Sequence, residues 1–426
     1  MCRSPGWRSG TGDRDNLRAL VVVARRDELL ASSRFADSES PMYLDNAATS
    51  FPRPECVHVA VAQAMRSMSS AGRAAHSVAS AASAVLQQCR TAAARLLHAP
   101  AASHIVFTGN CTEGLNTVLL GLLQPGDHVL ASTLDHNSVL RPLEFLTAQR
   151  GVHRHLVSFD PVTGLLDQDE FQRTLQRFPV RLTVLNHASN VTGRLQEVAW
   201  LTATAQQHGS LVLLDAAQTA GHVECHMEQL GVDFLATSGH KGLAGPQGTG
   251  LLCFRPESQS LVQPLKFGGT GTFSESLQQP LTCPEKFESG TQNVPGIAGL
   301  LAAVQLTLSE SPASRHAHLI ELTRCLLNGL RDIPAVRLLT PNIPEQLCGI
   351  VSFVIDGMDS SDVAMVLDQT FDIQCRAGLH CAPLAHETLG TLASGGAVRF
   401  SPGPWSTLDD MQTAIEAIDA IAREFH

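Results

Sequence analysis

Two stretches decide the fold class: Leu211-Val212-Leu213-Leu214-Asp215-Ala216-Ala217-Gln218 and, further on, Phe234-Leu235-Ala236-Thr237-Ser238-Gly239-His240-Lys241-Gly242. Each is a short apolar run that ends abruptly in polar and small residues. Runs without polar alternation suit strands buried on both faces, as in a parallel sheet. Working outward, similar runs recur at His104–Thr108, His128–Ser132, His155–Phe159, Leu182–Asn186 and Gly250–Phe254. With Leu211–Leu214 and Phe234–Thr237 they make seven, most of them separated by room for a crossover helix such as Leu201–His208. The pattern predicts an α/β fold: a mostly parallel sheet of about seven strands with helices on both faces. Such sheets bind ligands at the carboxyl ends of their strands. The residues just after each run are therefore the first candidates.

Alanine-rich helical spacing covers Cys56–Ser69 and Ser77–Leu97 upstream of these strands. Downstream, helices are predicted at Pro295–Leu308, His316–Leu330, Ser360–Gln369 and Thr407–Phe425, with strands at Val336–Leu339, Ile350–Ile355 and Ala397–Phe400. The expected organisation is a large domain over residues 55–293 and a smaller α+β domain from 42–54 and 294–426. Residues 1–41 differ in character: arginines 3, 8, 14, 18, 25, 26 and 34 are interleaved with acids. Their only apolar stretch, Ala19–Ala24, is too short for a secretory signal, and the acids argue against a transit peptide. A loose extension is expected there, and Met42 is an alternative start.

Of 426 residues, 44% are hydrophobic and 16% charged, enough for a large core. The net charge of −10 supplies no basic stripe for nucleic acid or an anionic membrane surface. The longest apolar run, Ile297–Val304, falls well short of the roughly 18 residues of a membrane span. A soluble globular protein is expected. Eleven cysteines, an odd count without a CxxC pair, point to a reducing compartment, and a cytoplasmic location is expected. Only three lysines occur, Lys241, Lys266 and Lys286, so chemistry that needs an amine has three candidates.

One of them stands at a strand end among suitable company. A phosphorylated aldehyde cofactor needs a lysine amine, an acid at its ring nitrogen, donors at its ring hydroxyl and a phosphate cradle. Lys241 follows the Phe234 run, and Asp215 ends the strand before it. Asn190 and Gln218 are neutral amides that can donate to a ring oxygen. Ser238 and His240 precede the lysine, and His136 is the natural ring-stacking side chain. Thr108-Gly109-Asn110-Cys111-Thr112-Glu113-Gly114 is a small-residue turn opening a helix, a setting that suits phosphate. The glycine-rich stretches 245–250 and 268–271 do not place a dinucleotide turn between strand and helix. His222-Val223-Glu224-Cys225-His226 has metal-like residues but no matched second pair, so it reads as a polar edge and no metal is expected.

These segments, together with Tyr43-Leu44-Asp45-Asn46-Ala47-Ala48-Thr49, Ser189-Asn190-Val191-Thr192-Gly193 and Glu288-Ser289-Gly290-Thr291-Gln292-Asn293, closely resemble the class V aminotransferase family. Within it the chain is similar to the cysteine desulfurase and selenocysteine lyase branch related to SufS. The resemblance runs from Met42 to nearly the C-terminus. It implies a fold-type-I homodimer that uses pyridoxal 5′-phosphate. It assigns the cofactor-linked amine to Lys241, the ring-nitrogen partner to Asp215 and ring-oxygen contacts to Asn190 and Gln218. His136 becomes the stacking and catalytic histidine. The Cys111–Thr112 turn, Ser238 and His240 take the phosphate, and Thr291 reaches the phosphate of a neighbouring subunit.

A further motif selects the reaction. Gln374-Cys375-Arg376-Ala377-Gly378-Leu379-His380-Cys381-Ala382-Pro383 resembles the desulfurase loop whose cysteine, here Cys381, accepts sulfur. Arg376 and His380 lie close in sequence, a setting expected to favour the thiolate. Cys375 reads as structural. Arg399 corresponds to the arginine that clamps the substrate carboxylate, supported by Arg376, Arg73 and Asn190; a planar fork suits that task. Two departures stand out: Leu379 replaces a second histidine of the loop, and Gly72 replaces the histidine before Arg73. The resemblance implies conversion of L-cysteine, or L-selenocysteine, to L-alanine with a persulfide on Cys381 and a sulfur-acceptor protein downstream. The alternatives are another class V reaction, such as an aminotransferase or a lyase without persulfide, and a non-catalytic sulfur-relay protein that holds the cofactor.

Overall fold

The computed structural model describes residues 41–71, 76–272 and 274–425. Most of the expected extension, and Arg73 with Gly72, lie outside them. In chain order the elements begin with β1 (Met42–Tyr43), α1 (Glu55–Ser67), α2 (Ser77–Leu97), β2 (Ile105–Thr108) and α3 (Cys111–Leu122). They continue with β3 (His128–Ser132), α4 (Asn137–Arg150), β4 (His153–Val157), α5 (Gln168–Arg177), β5 (Val180–Asn186), α6 (Val198–Gln207) and β6 (Leu211–Asp215). After α7 (Met227–Leu230), β7 (Phe234–Ser238) and β8 (Gly250–Phe254) come α8 (Val294–Glu310), α9 (Pro312–Arg331), β9 (Val336–Leu338) and β10 (Val351–Ile355). The chain closes with α10 (Ser360–Phe371), β11 (Ile373–Gln374), β12 (Arg376–Gly378), α11 (Pro383–Thr388), β13 (Ala397–Phe400) and α12 (Leu408–Phe425).

Seven strands form one sheet in the order β2-β8-β7-β6-β5-β3-β4. Only β8 runs against its neighbours; β4, β3, β5, β6 and β7 pair parallel in succession. The strand period of two sends neighbours to opposite faces. Phe107, Leu214, Leu235 and Leu251 enter a core on one face. Val106, Leu213, Ala236 and Leu252 enter another core on the other face. This double burial is why the runs show no polar alternation, and it is the expected α/β layering.

One expected strand is displaced. The sequence places it at His155–Phe159, yet β4 occupies His153–Val157. As the edge strand, β4 pairs among the described residues only with β3, register His128↔His153 to Ser132↔Val157. Backbone register therefore sets its limits, while Phe159 leaves the sheet to bridge Leu166.

A second sheet, antiparallel in the order β12-β13-β10-β9, collects the C-terminal strands. β1 pairs parallel with β11, which brings the Tyr43–Thr49 segment to the same region. Leu44 shares a core there with Phe353, Val398, Phe400, Leu326 and Ile418. Among the described residues no single helix is long and apolar enough to cross a membrane.

Candidate active site

The carboxyl ends of β2, β3, β5, β6 and β7 converge on one cavity of about 260 Å³. Cys111, Thr112, His136, Asn190, Asp215, Gln218, Ser238, His240 and Lys241 all line it. Nine of the residues singled out from the sequence are thus brought together. Each is fixed by local structure that the sequence dictates.

At the end of β2, Asn110 caps α3 by accepting from Glu113 N–H (2.9 Å), and Glu113 Oε2 accepts from Gly109 N–H (2.6 Å). This reciprocal cap starts the helix at Cys111. Cys111 N–H donates to Ser238 Oγ (3.1 Å), tying the turn to the end of β7. The Cys111 thiol is buried and donates to Asp215 Oδ1 at 3.4 Å. Burial, the neighbouring Asp215 carboxylate and this hydrogen bond hold its pKa well above the usual range, against the nearby Lys241, so it stays protonated. Asp215 is 6% exposed, and its Oδ1 also accepts from Ala217 N–H (2.9 Å).

His136 caps α4: its Nδ1 accepts from Ser138 N–H (3.0 Å), which leaves the neutral ring's proton on Nε2. Burial keeps the ring neutral by lowering its pKa, against the pull of Asp215. Asn190 and Gln218 each spend one amide hydrogen on backbone, on His380 O (2.6 Å) and Ala47 O (3.1 Å) respectively. Each keeps a second hydrogen for a ligand. His240 Nδ1 lies 3.2 Å from Thr49 Oγ1, and burial lowers its pKa to about 4. His240 is accordingly a neutral ring in this setting.

Lys241 sits in the turn after β7. Burial lowers the pKa of its amine, with Asp215 pulling the other way, so more of it is the free base at neutral pH. The turn is clamped on all sides. Ser50 Oγ and Ala244 N–H donate to Lys241 O at 2.6 and 2.7 Å. A Cβ on Gly242 would collide with the His222 ring and Ala220 O, so only glycine fits beside the Gln218–Gly221 turn. Arg315 Nη1, buried, donates to Gly221 O and Gly242 O at 3.3 Å each. His222, Cys225 and His226 of the polar edge diverge: Cys225 Sγ meets His187 and Thr219, and His226 stacks on His98.

A second, open groove of about 450 Å³ shares Thr112, His136 and Ser138 with the cavity and reaches Cys381. Cys381 is exposed, and its carbonyl accepts from Asn137 N–H (2.7 Å) in the first turn of α4. His380 and Cys381 both adopt the left-handed region, φ 47° and 57°, at a cost of about 1–2 kcal/mol each. The setting expected for the thiolate is different in the structure. His380 Nε2 donates to Ala397 O (3.1 Å), and burial drives its pKa far down, so it brings no charge to Cys381. Arg376 Nη1 turns to Asp45 Oδ2 (3.8 Å). Cys375, its pKa raised to about 12 by burial, stays protonated.

Arg399 is buried behind Asn190. Its Nη1 donates to Asn190 O and its Nη2 to Asp45 Oδ1, both at 3.0 Å. Asp45 stood in the quoted Tyr43–Thr49 motif without a role; its place beside Arg399 follows from the β1–β11 pairing, for which the chain carries no local signal. Thr291 is exposed and does not line the cavity of its own chain. Its loop is anchored by the buried Glu288–Arg90 pair, with Phe107 N–H donating to Glu288 Oε1 (2.6 Å).

A profile of the aminotransferase class-V family matches residues 42–413. The chain belongs to the class V aminotransferase family. A probable cysteine desulfurase of Methanothermobacter thermautotrophicus is 34% identical over 386 residues, covering 89% of this chain and 94% of the relative. One from Pseudomonas putida is 34% identical over 388 residues, covering 88% and 92%. Among solved structures, the apo cysteine desulfurase of Thermococcus onnurineus superposes with a TM-score of 0.85 at 30% identity, covering 90% and 95%. The Escherichia coli cysteine desulfurase CsdA gives 0.80 at 30% identity with the same coverage. Pyridoxal 5′-phosphate is the family's cofactor, and the donor set fits it: a buried amine, a buried carboxylate, two amides with a hydrogen to spare and a small-residue helix start.

Proposed function

We propose that the protein is a cysteine desulfurase that converts L-cysteine to L-alanine and holds the removed sulfur as a persulfide on Cys381. The observation that carries this is the shared wall of the two spaces: the groove reaching Cys381 opens on the same Thr112, His136 and Ser138 that line the Lys241 cavity. A substrate anchored in the cavity can therefore present its sulfur towards a protein thiol.

Pyridoxal phosphate, when bound, supplies an electrophilic carbonyl and an electron sink conjugated to the substrate Cα. Lys241 would hold it by its amine and, once freed, take the Cα proton; by lowering the amine's pKa, burial leaves more of it uncharged and able to do so. Asp215 would meet the ring nitrogen, Asn190 and Gln218 the ring oxygen, and neutral His136 the ring face. Arg399 anchors the substrate carboxylate. The Cys381 thiolate attacks the substrate sulfur; the Cβ–S bond breaks, and its electron pair stays on carbon. Protonation of that carbon gives the methyl group, Lys241 returns a proton to Cα to complete alanine, and Cys381 retains the sulfur.

The finer assignments belong to the same proposal. Selenocysteine is a second substrate, a homodimer brings Thr291 to the partner's phosphate, and a separate thiol protein accepts the sulfur. Ten described cysteines are all free, which supports a cytoplasmic setting. The test is alanine formation from L-cysteine with and without reductant, together with mass mapping of the adduct. One added sulfur on Cys381, lost on reduction, is expected; full activity of Cys381→Ala without any adduct would leave a lyase in its place.

A further inference from the structure

β12 and β13 pair antiparallel with Arg376 directly opposite Arg399. Two like charges at directly opposed positions repel, and here one of them is buried: the Arg399 side chain is 3% exposed, against 47% for Arg376. A single carboxylate spans the two. Asp45 Oδ1 lies 3.0 Å from Arg399 Nη2, and Oδ2 lies 3.8 Å from Arg376 Nη1. Asp45 is held in place by its backbone. Its carbonyl accepts from Ala48 N–H (3.0 Å) and Tyr43 OH (3.2 Å), and Asn46 N–H donates to Ser401 O (3.1 Å).

The two guanidinium groups and one carboxylate leave one net positive charge. Around it, buried polar atoms lack partners: Arg399 Nε, Asn190 Oδ1 and His380 Nδ1. An unpaired buried donor on a guanidinium is costly and marks a place where an anion is expected. We propose that Asp45 is a specificity-determining residue: as a built-in counter-ion it sets the Arg399 site to accept one carboxylate and to disfavour dianions. The inference rests on Arg399 being the carboxylate fork. It does not depend on sulfur transfer. An amino acid carrying a single free carboxylate balances the Arg399–Asp45–Arg376 set, whereas a second anionic group meets Asp45 with no further cation bridged to that carboxylate among the described residues.

The cofactor-loaded protein is titrated with propionate and with malonate, and binding is read by calorimetry. In Asp45→Asn, which keeps the shape and removes the charge, the malonate-to-propionate affinity ratio is expected to rise at least about tenfold. In Arg376→Gln the ratio is expected to fall, because a cation is lost while Asp45 stays. A ratio within twofold of the parent in both variants overturns the proposal. Should Asp45→Asn not fold, Arg376→Gln decides alone: a lowered ratio supports the proposal and an unchanged one overturns it. Absence of persulfide on Cys381 alongside the expected ratios would remove the sulfur-transfer reading and leave the charge assignment standing.

Discussion

The two side chains to which the proposed reaction assigns chemistry stand on contrasting supports. Lys241 projects from a turn packed glycine against backbone, with Arg315, Ser50 and Ala244 fixing the carbonyls around it. Cys381 stands on two successive left-handed residues, restrained by Asn190 Nδ2, Asn137 N–H and Ala397 O. Proton transfer at a carbon needs an amine held to a fraction of an ångström. A thiol that receives sulfur and passes it on needs exposure, and strained loops are where such groups are commonly carried. The difference teaches that one site combines a rigid half and a strained half, joined at Asn190.

The contrast can be broken most sharply at the amine. Lys241→Ala is expected to lower alanine formation by about 10³-fold or more and to abolish the absorbance of lysine-linked cofactor. Cys381→Ser comes next: protein-bound sulfur disappears while cofactor absorbance stays as in the parent, as seen by mass mapping and spectroscopy. Packing at the rigid half is tested by Gly242→Ala, whose methyl has no room beside His222 and Ala220. A loss of about 1–3 kcal/mol in urea unfolding is expected. The strained half should respond in the opposite sense. Cys381→Gly is expected to be more stable than Cys381→Ala by about 1 kcal/mol, because glycine adopts positive φ freely.

A further effect is in pH. Burial lowers the pKa of His187 and of His222 to about 4. Unfolding returns them towards the ordinary value of 6.5, so the unfolded chain takes up protons between those limits. Their contribution to stability is complete above about pH 6.5 and is lost as pH falls towards 4. In urea unfolding across that window, His187→Gln should flatten the slope by one proton, about 1.4 kcal/mol per pH unit.

Much of this was legible in the chain. The seven apolar runs predict the seven strands because burial on both faces leaves a continuous apolar signal, as at Leu211–Leu214. Lys241, Asp215, Asn190, Gln218 and His136 were readable because each follows such a run, where parallel sheets gather ligands. The limits of β4 were not, since pairing with β3 alone sets them. Nor was the state of His380: proximity to Cys381 in sequence suggested a cation, whereas burial against Ala397 O makes it neutral. Asp45 gained its role only once β1 paired with β11 and set it beside Arg399.

By itself, the order of amino acids determined the layered sheet, the family and which side chains end the strands, because hydrophobic periodicity and short motifs are local properties. The tertiary structure alone decided the charges and orientations: a neutral His380, an Arg376 turned to Asp45, and an amine at Lys241 made less basic by burial. Those depend on desolvation and on partners hundreds of residues away, such as Asp45 and Arg399, and no local reading of the chain contains them.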